Sequence, residues 1–180
     1  GDWTLDDHGD YTILGNSRDH LSFSIDLSAN WKGFDLRAYM QGVGKKDYYP
    51  GAASHYFWGV YAQPWSNIYK DHLDHWTPDN RDAYYPRLKS YTAEIGRDLG
   101  IAQTKYLQNA AYMRMKNLTF GYTIPQDVTG TIGLDKLRIY FSGENLFEIT
   151  SLNKNLDPEN LDGRTYPFQR TFALGLNVSF

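Results

Sequence analysis

Two histidines and two aspartates, His72 and His75 with Asp71 and Asp74, crowd together in the middle of the chain. All four are metal-ligand types, and a spacing of three puts both histidines on one face of a helix. A short helix over Trp65–Leu73 would carry part of that face. Zinc sites take three or four well-placed protein ligands, however, and no further anchoring motif accompanies these residues. Solvated loop histidines and no metal are the expectation. Near the start, Asp2, Asp6, Asp7 and Asp10 gather around Gly9. A calcium loop alternates its oxygen donors ahead of the glycine, and Asp6-Asp7-His8-Gly9-Asp10 breaks that alternation. A polar turn is expected there, with calcium as the alternative and no other cofactor.

Asp35 and Glu144 raise the question of hydrolysis. A glycosidase needs two carboxylates facing each other across the scissile bond, and neither residue has an evident carboxylate partner. Pairing with Arg37 and Arg138, or lining a wet channel, accounts for both. The chain carries no nucleophile elbow, phosphate loop or histidine-base arrangement, so it does not read as an enzyme. Aromatic residues are the stronger signal. The stretch 44–110 holds Tyr48, Tyr49, Tyr56, Phe57, Trp58, Tyr61, Trp65, Tyr69, Trp76, Tyr84 and Tyr85. Exposed rings of this kind stack on sugars, with Asp71, Asp74, Asp79, Asn80 and Arg81 available as hydrogen-bonding neighbours. The candidate contacts with substrate or partner are Trp58, Trp65, Trp76, Tyr48, Tyr49, Tyr84 and Arg81. Taken singly, each ring is expected to pack in the loop's own core or against a partner protein; together they make a docking surface.

The elements that would position these residues are strands. Leu21, Phe23, Ile25 and Leu27 alternate with Ser22, Ser24, Asp26 and Ser28 over 20–29, the two-residue period of a strand with one apolar face. Asn30-Trp31-Lys32-Gly33 reads as a tight turn in which Gly33 takes positive φ. The alternation resumes over 34–43, with Phe34, Leu36, Ala38 and Met40 against Asp35, Arg37, Tyr39 and Gln41. From Ala111 to Ile124 the phase flips near Lys116-Asn117, which predicts a β-bulge. Pro125 ends that strand, and a Gly/Thr/Asp-rich turn follows over 126–135. Lys136–Phe147 alternates next. Finally Phe168, Phe172, Leu174, Leu176, Val178 and Phe180 share a face that only Arg170 interrupts.

Each segment spans about 10 to 14 residues, against about 9 to 11 for a tilted strand crossing a bilayer and 5 to 6 for an ordinary strand. The connections alternate short (30–33, 125–135) and long (44–110, 148–167), the rhythm of an outer-membrane barrel with short periplasmic turns and long extracellular loops. The fold class is all-β, with five antiparallel strands of a larger transmembrane β-barrel. Five strands cannot close such a barrel by themselves, and an open sheet edge cannot sit in lipid, so the chain reads as a segment. Asp35, Arg37, Arg138 and Glu144 then face the lumen.

Composition agrees. Aromatics make up 16% of the chain, with 15 Tyr, 9 Phe and 5 Trp, which suits interfacial girdles and ligand-stacking surfaces. A mean hydropathy of −0.59 is no objection, since alternating strands average to a polar mean. No run of 18 apolar residues exists, which excludes a transmembrane helix. Eighteen Lys+Arg against 21 Asp+Glu give a net charge of −3, with the basic residues spread singly, so no nucleic-acid partner is expected. With no cysteines there is no disulfide framework.

Several stretches resemble SusC/RagA-type TonB-dependent receptors. They are Trp31-Lys32-Gly33-Phe34-Asp35-Leu36 leading into Gln41–Asp47, Tyr106–Pro125, Arg138–Phe147, Leu156-Asp157-Pro158-Glu159, and the ending from Tyr166-Pro167 to Asn177-Val178-Ser179-Phe180. The resemblance covers nearly the whole chain and rests on the order and spacing of these stretches. It implies the C-terminal part (1–180) of a 22-stranded barrel in the outer membrane of a Gram-negative bacterium. The plug domain and TonB box would lie elsewhere. It also implies TonB-driven import of oligosaccharides or peptides, a SusD-like surface lipoprotein as partner, outer-membrane lipid around the strands, and Phe180 as a signal to the barrel-assembly machinery. Oligosaccharide is the preferred cargo, given the tryptophans and tyrosines. The competing expectation is a soluble β-sandwich module that grips a glycan with its aromatic loops. An accessory domain of a secreted glycan hydrolase is a third, disfavoured by the terminal Phe180.

Overall fold

A computed structural model describes residues 12–52, 54–161, 166 and 168–180. The acidic group Asp2, Asp6, Asp7 and Asp10, considered above for calcium, lies outside them. The described residues form eight strands: β1 (Ser22–Trp31), β2 (Phe34–Val43), β3 (Asp47–Tyr48), β4 (Gln108–Asn109), β5 (Tyr112–Ile124), β6 (Lys136–Glu144), β7 (Glu148–Thr150) and β8 (Thr171–Ser179). The chain divides into two compact units. One is a strand unit drawn from Asp19–Lys45, Ala111–Ser151 and the end of the chain. The other is a loop unit centred on Lys46–Ala110 with Leu152–Tyr166.

In the strand unit, β1, β2, β5, β6 and β8 lie side by side in that order, all antiparallel, and β7 pairs with the start of β5. The β1–β2 hairpin closes through a two-residue turn, since Trp31 pairs directly with Phe34. Both turn residues are left-handed, Lys32 at φ 47° and Gly33 at φ 87°, the conformation whose twist matches the flanking strands. A side chain at Gly33 would also meet the Thr123 carbonyl oxygen at 2.8 Å.

The register puts every apolar series on one face. Residues directly opposite in a ladder share a side of the sheet, and one such row runs Trp31, Phe34, Tyr122, Ile139, Leu176. The next runs Ala29, Leu36, Phe120, Phe141, Leu174. The expected bulge falls at Lys116, skipped between the pairs Tyr39–Asn117 and Met40–Met115. That extra residue restores Met113 and Met115 to the face of Leu118 and Phe120. The apolar face is bare: Trp31 is 68% exposed, Phe172 64% and Leu174 82%. Among the described residues the second sheet is only the two-residue β3–β4 ladder, so nothing of sheet character is available to complete a sandwich.

Several bounds shift by two or three residues, β1 running Ser22–Trp31 and β8 Thr171–Ser179, and one strand ends early. The alternation over 136–147 stops as β6 at Glu144, because Asn145 turns left-handed (φ 51°). Leu146 then donates to the Met115 carbonyl and Met115 to that of Phe147, 3.2 and 3.0 Å, so the chain continues as β7 along β5. After Pro125, the expected Gly/Thr/Asp-rich turn takes the form of a turn of helix (Gln126–Thr129) and a 3-10 turn (Gly130–Ile132).

The loop unit has its own core of Phe57, Trp58, Tyr61, Ala62, Tyr85, Ala93, Leu99, Tyr106, Ala110, Leu152 and Leu156. Little regular structure supports it: α1 (His55–Trp58) is a single turn. The helix expected over 65–73 is reduced to a 3-10 turn at Lys70–Leu73.

Candidate functional site

Aromatic rings in the loop unit follow two different uses. Trp58 is 0% exposed; its ring meets Phe57 edge-on at 4.7 Å and Tyr106 at 5.2 Å, and its indole N–H donates to the Pro50 carbonyl at 2.8 Å. The expectation that Trp58 contacts a ligand is therefore corrected: it is the loop's central core residue. Tyr48, Tyr49 and Tyr84 are half-buried. Tyr48 donates to the Leu161 carbonyl and Tyr49 to that of Leu99, each at 2.8 Å, and the Tyr84 hydroxyl accepts from the Gln108 amide at 3.2 Å. Trp76 is half-buried, with the Arg87 guanidinium 4.7 Å from its ring centre. Arg81 is exposed and donates to the Pro78 carbonyl at 3.2 Å. Of the three loop tryptophans, Trp65 alone stands open, 72% exposed.

Burial sets the chemistry of the core hydroxyls. It pushes Tyr49 and Tyr106 up to about 12, and drives Tyr61 and Tyr85 further above their ordinary value. Each hydroxyl therefore remains a proton donor to a backbone carbonyl, as in Tyr61 to Pro86 at 2.7 Å. Charging an oxygen among apolar rings is what raises these values.

The histidine pair is not a solvated one. His72 is fully buried. Its Nδ1 accepts from the Tyr69 backbone N–H at 3.1 Å, which leaves Nε2 to donate to the Phe57 carbonyl at 2.8 Å. Tyr61, Tyr69 and Tyr85 meet the ring edge-on. His75 Nδ1 lies 3.0 Å from the His72 carbonyl. Both nitrogens of His72 are spent on backbone, so it has no lone pair for a metal. Among the described residues, no three His, Cys, Asp or Glu side chains converge. The aspartates serve the loop as well. Asp71 accepts from the amides of Asn153 and Asn155 at 3.1 and 3.3 Å. Asp74 accepts from the Asn80 amide and the Tyr84 N–H, both at 3.1 Å. Those bonds, the Asn80 amide first, hold the Asp74 carboxyl below the usual carboxylate range.

In the strand unit, the polar face carries all four residues expected there; Asp35 takes Arg138, one of its two expected partners, while Arg37 turns instead to Asp26. Arg37 bonds Asp26 on β1 at 2.8 Å. Arg138 grips Asp35 with two bonds of 2.8 and 2.5 Å, from β6 to β2 across the intervening β5. The pair passes over Gly121, where a Cβ would lie 2.5 Å from Arg138 Nη2 and 2.6 Å from Asp35 Oδ1. Glu144 sits on the same face, opposite Asn117 and Thr171. A third ion pair escaped the sequence altogether: Arg114, 3% exposed, bonds Glu148, and its guanidinium lies 5.2 Å from the Phe168 ring centre. Phe180 is exposed beyond β8.

A one-sided sheet of long antiparallel strands, apolar on one face and ion-paired on the other, belongs to the all-β class. No protein-family profile matches the chain. It is similar to TonB-dependent receptors P3 and P26 of Formosa agariphila, each 28% identical over 187 residues that cover 95% of this chain. The chain spans only 17% and 18% of those relatives. Among solved structures, the RagAB peptide transporter matches with a TM-score of 0.60 and 26% identity over 86% of this chain and 16% of that one. The RagAB peptide importer in its open-open state gives 0.62 and 25% over 88% of this chain and 17% of its own. The resemblance to SusC/RagA-type TonB-dependent receptors is borne out along the chain.

Proposed function

We propose that the chain is a segment of an outer-membrane receptor barrel that imports nutrients with energy from TonB. The carrying observation is the continuous apolar face of β1, β2, β5, β6 and β8, exposed through residues such as Trp31, Leu36, Phe120, Ile139 and Leu174. A soluble monomer rarely leaves so large a contiguous patch bare, whereas lipid covers it at no cost. On this reading the ion-paired face lines the lumen, the turns at Lys32-Gly33 and 125–135 are periplasmic, and the loop unit lies outside the cell. The open rims of β1 and β8 would be paired by the remaining strands of a 22-stranded barrel. Phe180 would serve the assembly machinery. A SusD-like lipoprotein would dock on the loop unit. The cargo would be an oligosaccharide, with peptides, the cargo of the RagAB transporter, as the alternative. The test is fractionation of the native protein followed by gels of unheated and boiled samples. An outer-membrane band whose mobility shifts on boiling is expected; a soluble species indifferent to heat overturns the proposal.

A further inference from the structure

Residues 125–135 join β5 to β6, although two residues, Lys32-Gly33, suffice to join β1 to β2. The longer connection is an ordered knob rather than slack chain. Val128 and Thr129 N–H donate to the Pro125 carbonyl at 3.0 and 3.2 Å, and Gly133 N–H donates to that of Gly130 at 3.2 Å. Leu134 N–H reaches back to the Thr129 carbonyl at 3.1 Å, a closure that left-handed Gly133, at φ 74°, permits. Both threonine hydroxyls are turned onto the backbone, Thr129 to the Gln126 carbonyl at 3.5 Å and Thr131 to that of Val128 at 2.6 Å. Asp135 N–H ties the far end to the Ser179 carbonyl of β8 at 2.9 Å. The apolar side chains left facing outward are Val128, 59% exposed, and Ile132, 66% exposed. Both are β-branched, and turn chemistry selects neither.

Exposed aliphatics scattered singly are ordinary; the place of this pair in the fold sets it apart. The aromatic row Trp31, Phe34, Tyr122 crosses the apolar face beside the turns, as an interfacial girdle does. Ile124 follows Tyr122 two residues on, with Leu137 and Val178 beside it in register. At about 3.3 Å per residue, that last apolar row stands no more than about 7 Å beyond the girdle. The chain enters the 125–135 connection directly from it. A headgroup layer is about 5–8 Å deep on each side of the hydrocarbon, so the apolar face runs unbroken to the level at which Val128 and Ile132 protrude. The charged residues of the connection and its exit are Asp127, Asp135 and Lys136, which leave no net positive charge to draw anionic lipid. We propose that Val128 and Ile132 form an interfacial anchor, seated in the periplasmic headgroup layer of the bilayer and fixing how deep this side of the sheet sits. Apolar burial drives the seating, and a backbone already bonded to itself permits it. The assignment rests on the outer-membrane reading above and adds a lipid contact outside the strands.

The experiment places nitroxide spin labels on Val128→Cys and Ile132→Cys, one at a time, in the full-length receptor freed of other cysteines. The labelled proteins are inserted in vesicles of phosphatidylethanolamine and phosphatidylglycerol, each first showing the heat-shifted band of a folded barrel. Leu174→Cys reports the lipid face, and Asp79→Cys, at an exposed loop position, reports water. Collisions with oxygen, which concentrates in lipid, are compared with collisions with a water-soluble nickel chelate. The oxygen-to-nickel ratio at Val128 and Ile132 should rise several-fold above that at Asp79 and stay below that at Leu174. Added salt should not move it, because the seating is apolar rather than ionic. The proposal is overturned if the Leu174 label reads as lipid while those at Val128 and Ile132 match Asp79, which leaves the knob in water. It is equally overturned if both probes are excluded from Val128 and Ile132, since protein rather than lipid then covers them. Should the Leu174 label itself read as water, the outer-membrane reading falls and the anchor with it.

Discussion

Gly121 offers the sharpest test of how the polar face is built. Its φ is ordinary, so alanine there is not strained by backbone; the conflict is with the two atoms of the Asp35–Arg138 pair that would lie 2.6 and 2.5 Å from a new Cβ. Those side chains expose only 28% and 19% of their surface, and hydrogen bonds to charged groups contribute about 1.5–3 kcal/mol when well formed. Discounted for partial exposure, displacing this bidentate pair should cost about 1–2 kcal/mol. Against that, alanine in a strand interior gains about 0.5–1 kcal/mol over glycine. Gly121→Ala should therefore destabilise the native receptor by up to about 1.5 kcal/mol. In a background carrying both Asp35→Ala and Arg138→Ala, the ledge above Gly121 is empty, and the same substitution should stabilise by about 0.5–1 kcal/mol. The sign reverses. Urea titration of the full-length protein in lipid vesicles, scored by the heat-shifted folded band, reads both backgrounds. An equal effect in the two would show that the ion pair does not occupy the space over Gly121, and the reasoning would fail.

Leu174 separates lipid from water directly. At an exposed position in a soluble protein, Leu174→Arg should change stability by no more than about 0.5 kcal/mol; on the lipid face near mid-strand it should cost about 2–4 kcal/mol, read in the same vesicle assay. The loop core makes a pH prediction. The Tyr49 and Tyr106 values are raised, so the stability they contribute is fully present below the ordinary tyrosine value near 10 and is lost as pH rises through about 12. Absorbance titration at alkaline pH should show exposed tyrosines ionising first and a late, cooperative phase that coincides with loss of near-UV circular dichroism. Ionisation of all tyrosines in a single phase near 10 would refute it.

The strands were legible because their signal is local. Alternation over 34–43 or 171–179 needs no knowledge of partners, and even the bulge at Lys116 announced itself as a change of phase. For the ion pairs, the sequence points to Arg37 and Arg138 as partners of Asp35 and Glu144 but not to which meets which, nor to Asp26 or Glu148. Arg138 finds Asp35 rather than a neighbour of its own strand because register and strand order bring residues 103 positions apart onto one ledge, and only the absence of a side chain at Gly121 lets them meet. Arg114 and Glu148 meet because Asn145 breaks β6 and returns the chain to β5 as β7. Nothing in the alternation over 136–147 marks that break, and nothing around Ser90-Tyr91 in the sequence marks a left-handed tyrosine.

The aromatic content shows why composition misled about individual rings. A long connection whose one ladder is the two-residue β3–β4 pair leaves many carbonyls that no neighbouring strand can satisfy, and burying them unpaired is costly. A phenylalanine would fill the space and leave the carbonyl alone. Tyrosine and tryptophan fill it and donate a proton, as Tyr48, Tyr49, Tyr61 and Trp58 do to Leu161, Leu99, Pro86 and Pro50. An irregular loop that must hold its shape therefore selects the same residue types as a sugar-binding surface, and the two uses cannot be told apart by counting. They part on one structural criterion: whether the polar end of the ring is already spent on backbone. Trp58 fails that criterion as a ligand contact and Trp65 passes it.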